Sequence, residues 1–133
     1  FIVLTGSWDL EVTPRDVRTP DKYREICNRS KIGLHYFGNS YDSIRIGELA
    51  STKAAIIMPK MRNLSVSDTE VPFKNYTVIR DDFSDLEEKI LWLLEEERYQ
   101  KQADLCFEDY EKNHKPDKYF EHYYNKILKY ANL

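Results

Sequence analysis

The sequence predicts an α/β domain, with a parallel sheet of about four strands in three layers and a helical C-terminal tail. Three observations carry that prediction. Two uninterrupted apolar runs, at 31–37 and 54–58, are joined by one helix-like segment, the pattern of a βαβ unit whose strands are buried on both faces. Strand-like and helix-like stretches alternate through the first half of the chain. From Ser84 onward the pattern is almost wholly helical.

Each element follows from its own residues. Phe1-Ile2-Val3-Leu4-Thr5 is apolar and β-branched, a strand ended by Gly6-Ser7. Residues 8–18 mix acids, bases and Pro14 without a period and read as a surface loop. Thr19-Pro20-Asp21 starts a helix, with a cap, a proline at the first helical position and an acid in the first turn. Its inward face is Tyr23, Ile26 and Cys27, and it ends near Ser30. The 31–37 strand is broken by Gly38-Asn39, and Asp42 or Ser43 can cap the next helix. There Ile46, Leu49 and Ala50 form one apolar face. Pro59 closes the second strand of the unit, and residues 60–74 make a polar connection long enough to be a functional loop. A short strand at 76–79 ends at Arg80-Asp81-Asp82.

The helical half opens on Ser84-Asp85-Leu86-Glu87, a capping box ahead of Leu86, Ile90, Leu93 and Leu94. A break is expected around 95–98, and residues 113–116 punctuate a continuation that reaches Tyr110. The last helix, 117–130, carries Tyr119, Phe120, Tyr123, Tyr124, Ile127 and Leu128, tyrosines of the half-buried kind.

The totals bound the function. The chain has 133 residues and a net charge of −3, so it suits one domain and gives no global reason to bind nucleic acid. Charge is uneven, with ten acids and four bases between 85 and 112, matching a solvated helix face. Cys27 and Cys106 lack metal-site spacing and read as ordinary buried or half-buried thiols of a reducing, cytoplasmic compartment. No apolar run approaches the roughly 18–20 residues of a transmembrane segment, and no signal peptide is visible. Because the chain opens at Phe1, directly inside a strand-like run, a piece of a longer protein is expected.

One stretch carries chemistry. A helix N-terminus presents unpaired N–H groups and a partial positive charge, which suit a phosphate. Gly38 lets backbone approach a ligand, and Arg45 in the first turn adds a charge with aligned donors. Glu48, one turn on, could accept hydrogen bonds from two neighbouring sugar hydroxyls. The plain alternative is that Arg45 and Glu48 simply pair at i, i+3.

The run SKIGLHYFG…YDSIRIGELAS…AAIIMP, followed by VIRDDFSDLEEKILWLLEEE, resembles the carboxyl-terminal half of GT-B glycosyltransferases, closest to the group-1, spore-maturation-type branch. The resemblance covers about residues 24–94. It implies a Rossmann-like nucleotide-sugar-binding domain over 1–112, with the C-terminal helix at 113–133 packed on it. It implies a nucleotide-diphosphate sugar as donor and no separate cofactor or built-in metal. It puts Glu48 on the donor ribose, the amides near Ser43 and Ile44 on the diphosphate with Arg45 beside them, and Gly6-Ser7 along the phosphate side. The chain departs from the pattern at Ser40, where many relatives carry a glutamate, at Lys53, usually glycine, and at Ala55, commonly proline. A two-domain enzyme of this type takes its acceptor, and usually its base, from the other, N-terminal domain. This chain alone is therefore expected to bind donor but to transfer sugar slowly or not at all. Acceptor, sugar and catalytic base stay unassigned.

Among the histidines, His35 sits near the end of a strand that points at the cleft and is expected to be packed or hydrogen-bonded, while His114 and His122 read as surface residues without metal spacing. A second functional class is open: a non-enzymatic module that binds a protein partner through its acidic, tyrosine-rich tail. A flavodoxin-like or receiver-like domain is the third, although the acidic cluster a receiver needs is missing.

Overall fold

A computed structural model describes residues 2–5, 19–36, 44–60 and 73–131, the first group by its backbone alone. Four parallel strands, β1 (Ile2–Thr5), β2 (Ile32–His35), β3 (Ala55–Pro59) and β4 (Thr77–Ile79), lie in sequence order. Register runs from Ile2 opposite Ile32, through Ile32 opposite Ala55, to Ile57 opposite Thr77. The protein is thus α/β with a parallel sheet, as its sequence predicts. β2 and β4 are shorter than the stretches that mark them, whereas β3 keeps the length of its run, shifted by one residue to end on Pro59.

β3 explains the layering. All five of its residues are buried, and side chains on successive residues point to opposite faces. Ala54, Ile56 and Met58 join Cys27, Ile46, Leu49 and Ala50 in one cluster. Those partners belong to α1 (Pro20–Arg29) and α2 (Ile44–Ser51). Ala55 and Ile57 join Ile32, Ile79 and Leu93 in the other, with Leu86 and Ile90 packed against it. These last come from α3 (Leu86–Leu94). Helices therefore cover both faces.

Local rules set most boundaries. Thr19 accepts a hydrogen bond from the Lys22 amide and Pro20 takes the first helical position of α1, as expected. The break after α3 is real: Glu96 and Glu97 have positive φ in a tight turn over Glu95–Glu97. α4 (Arg98–Asp109) follows, then a π-helical turn over Tyr110–His114 and α5 (Pro116–Tyr130).

Two expectations at α3 need correction. The Ser84 capping box does not form. The Asp85 carboxylate turns back to accept the Arg80 amide at 2.8 Å, and Asp82 accepts the Ser84 amide at 3.0 Å. These side chains close a turn that starts α3 at Leu86, one residue too late for Ser84 to act as its cap. Leu94 is not a core residue either. It sits at the last position of α3, where the chain swings away, and is left exposed.

α4 runs beside the approach to β4 and closes that part of the sheet. Gln102 donates to Thr77 Oγ1 at 2.8 Å and to the Ile56 carbonyl at 3.4 Å. The Cys106 thiol donates to the Asn75 carbonyl at 2.9 Å, and Asp109 accepts the Lys74 amide at 2.8 Å. Positions 102, 106 and 109 share one helix face, so a single row of polar side chains holds residues 74–77. A backbone edge left unpaired against the core would cost far more than these bonds cost to order.

Candidate functional site

The site is built where β2 ends and α2 begins. Gly33 in β2 allows the two to approach closely: a Cβ there would lie 2.6 Å from the buried Leu49 side chain. α2 is described from Ile44 and has no acid in its first turn, and a helix amino end carries a partial positive charge. Arg45 stands in that turn and Glu48 one turn later. Of the other expected site residues, Gly6, Ser7 and Ser43 lie outside the described residues, as do Gly38, Ser40 and the capping Asp42. For Ile44 only the backbone is described.

Arg45 and Glu48 are together. Arg45 Nη1 donates to Glu48 Oε2 at 3.1 Å, with the side chains 48% and 38% exposed. The i, i+3 pairing that spacing alone allows is thus formed. An exposed pair of this kind adds only a few tenths of a kcal/mol to about 1 kcal/mol of stability, so it does not explain why this face is organised as it is.

Three more residues converge on the pair. The Arg45 guanidinium lies over the Tyr23 ring of α1, 4.6 Å from its centroid. Burial raises the pKa of Tyr23, and the neighbouring Cys27 adds to it, so the phenol is neutral at ordinary pH. Burial also raises the Cys27 thiol, with Glu48 acting in the same direction. His35, at the carboxyl end of β2, is 2% exposed, and its pKa is lowered first by burial and then by the Arg45 charge. Arg45 is therefore a cation standing over a neutral aromatic face, with a carboxylate beside it and a buried imidazole near enough to feel its charge. Such an arrangement can hold a diphosphate and a pair of hydroxyls. Among the described residues it supplies no group placed as a general base.

Tyr23 and Cys27 come from α1 and His35 from β2, and no spacing in the sequence links them to Arg45 in α2. Tyr23 reads there only as the inward face of a helix, which it also is.

No family model, curated protein or solved structure matches the chain. The functional reading therefore rests on the residues themselves.

The other expected histidine placements change. His114 is half-buried rather than on the surface, with Nε2 3.7 Å from the Asp109 carboxylate and its ring 5.0 Å from that of Phe73. His122 is also half-buried. His114 is drawn in where the π-helical turn packs beside α2. Both cysteines are free and buried. Among the described residues, no group of three or more His, Cys, Asp or Glu side chains could hold a metal ion, and no helix is long and apolar enough to cross a membrane.

Proposed function

We propose that this chain is the Rossmann-like donor-binding part of a cytoplasmic GT-B glycosyltransferase. It takes a nucleotide-diphosphate sugar for transfer to an acceptor held by a further domain. The observation that carries the reading is Arg45 and Glu48 in successive turns at the amino end of α2, where that helix meets the carboxyl end of a parallel strand. Helix N-termini of this kind favour anions, and Arg45 adds charge-assisted donors. In the bound state the diphosphate would rest on the α2 amides and Arg45, and the Glu48 carboxylate would accept the ribose hydroxyls. As the glycosyl bond breaks, negative charge grows on the diphosphate, and those same donors would stabilise it.

Lys53 adds support. It has φ 56 just beyond α2, the left-handed conformation that favours glycine, and glycine is what the resembling enzymes carry there. One feature weighs against the reading. The four strands progress in sequence order, so the reversal of strand order beside which such sheets usually bind ligands does not fall among them.

The test is calorimetric titration of the chain with UDP, GDP and ADP. Glu48→Ala should weaken the preferred nucleotide about tenfold, the effect of losing hydrogen bonds to a charged group, with little change in melting temperature. Equal binding by both proteins would remove Glu48 from the site.

A second reading has its own observation. Along α5, Phe120, Tyr124 and Ile127 are exposed, Phe120 to 74% and Ile127 to 63%. In this reading α5 docks a protein partner and the chain is a binding module without catalytic activity. Partner capture lost on deleting residues 116–133, together with no nucleotide binding, would favour it.

A further inference from the structure

The role of Tyr23 follows from what Arg45 needs in order to act. An arginine side chain has four rotatable bonds before its guanidinium and loses much of its freedom when held in one place. Within α2, Arg45 pairs with Glu48 at i, i+3, 3.1 Å away, and such a contact is weak in water. Another contact comes from a different element. Tyr23 projects from the second half-turn of α1 and is half-buried, with its ring packed against the cluster of Cys27, Ile46, Leu49 and Ala50. The guanidinium sits over that ring at 4.6 Å.

We propose that Tyr23 is a positioning residue for Arg45: its ring fixes the guanidinium at the amino end of α2 in the pose that meets a nucleoside diphosphate. This rests on the donor-site reading above. The ring touches the guanidinium through its face, whereas guanidinium donors lie in its plane. Stacking therefore steadies the cation without competing for the donors that a phosphate uses. Glu48 occupies one in-plane donor, Nη1, and so orients the plane. The tyrosine holds Arg45 chiefly through its aromatic face, with its hydroxyl also interacting with the guanidinium. Burial keeps that hydroxyl protonated, so it offers no negative charge to neutralise the arginine. Because Tyr23 belongs to α1 and Arg45 to α2, the pose of the cation also depends on how these two helices pack on the sheet.

The test is a double-mutant cycle on the full chain, read by calorimetric titration with UDP, GDP and ADP. Tyr23→Phe keeps the ring and should bind the preferred diphosphate within twofold of the unmodified chain. Tyr23→Leu keeps an apolar residue in the cluster and should weaken binding about two- to fivefold, the effect of one exposed cation–π contact. On an Arg45→Ala background, Tyr23→Leu should have no further effect, because the cation it positions is gone. A residue that merely supports the fold would weaken both backgrounds equally. Equal weakening in the two backgrounds, or no weakening in either, overturns the role while leaving the donor site standing. If the unmodified chain binds none of the three diphosphates, the donor-site reading and the role of Tyr23 fall together.

Discussion

His35 shows how one side chain can tie stability to pH. Burial and the nearby Arg45 both lower its pKa below the ordinary histidine value of about 6.5. Above that value His35 is neutral in the folded and the unfolded chain and imposes no penalty. As pH falls through about 6.5, the unfolded chain takes up a proton that the folded chain resists, so stability declines. Thermal melts at pH 7.5 and 5.5 should show this loss, and His35→Gln should show a smaller one. Equal losses in the two proteins would contradict the assignment. Asp109 is the other residue to test. It accepts from the Lys74 amide at 2.8 Å and from Asn113 at 2.7 Å. Asp109→Ala leaves a part-buried amide without its charged acceptor, so denaturant titration should show a loss of about 1–3 kcal/mol. The sequence makes Asp109 look like one more acid on a solvated face. Its role depends on a contact 35 residues away in the chain, which no periodicity reports.

Among elements, α2 shows most clearly what sequence can and cannot reveal. Ile46, Leu49 and Ala50 are legible as its buried face because helical spacing alone brings them together, and all three are buried. The Arg45–Glu48 pair is legible for the same reason. The Tyr23 and His35 contacts are not, since packing between elements creates them. Gly33 carries a partial signal, because a glycine inside a strand often marks a close approach. Gly33→Ala should cost about 1–3 kcal/mol by forcing Leu49 aside, and Leu49→Ala in the same chain should recover part of that cost. Additive losses would contradict the close approach. At the other end of α2, Lys53→Gly should stabilise the chain by about 1 kcal/mol by relieving its left-handed backbone, and a lower melting temperature would contradict that. The α3 cap misled for a physical reason. Ser84 and Asp85 had a competing use in the turn after β4, and their bonds to Arg80 and Asp82 displaced the capping box.

For the molecule as a whole, alternation of apolar runs was enough to foretell an α/β protein with a parallel sheet, because fully buried strands leave an unbroken apolar signature. The row of Gln102, Cys106 and Asp109 that secures the approach to β4 was hidden, since polar residues on a helix usually face water. Burial has pushed the Cys106 thiol up to about 12, so this row holds a protonated donor rather than a reactive thiolate. The central claim is that the amino end of α2 receives a nucleotide. Its most direct test is a nuclear magnetic resonance titration of the 15N-labelled chain with UDP, GDP and ADP, following backbone amides and the Arg45 side chain. The account predicts the largest shifts over residues 44–48 and at Arg45 Nε, with Tyr23 and His35 moving less. Shifts centred on α5, or none at saturating nucleotide, would contradict it.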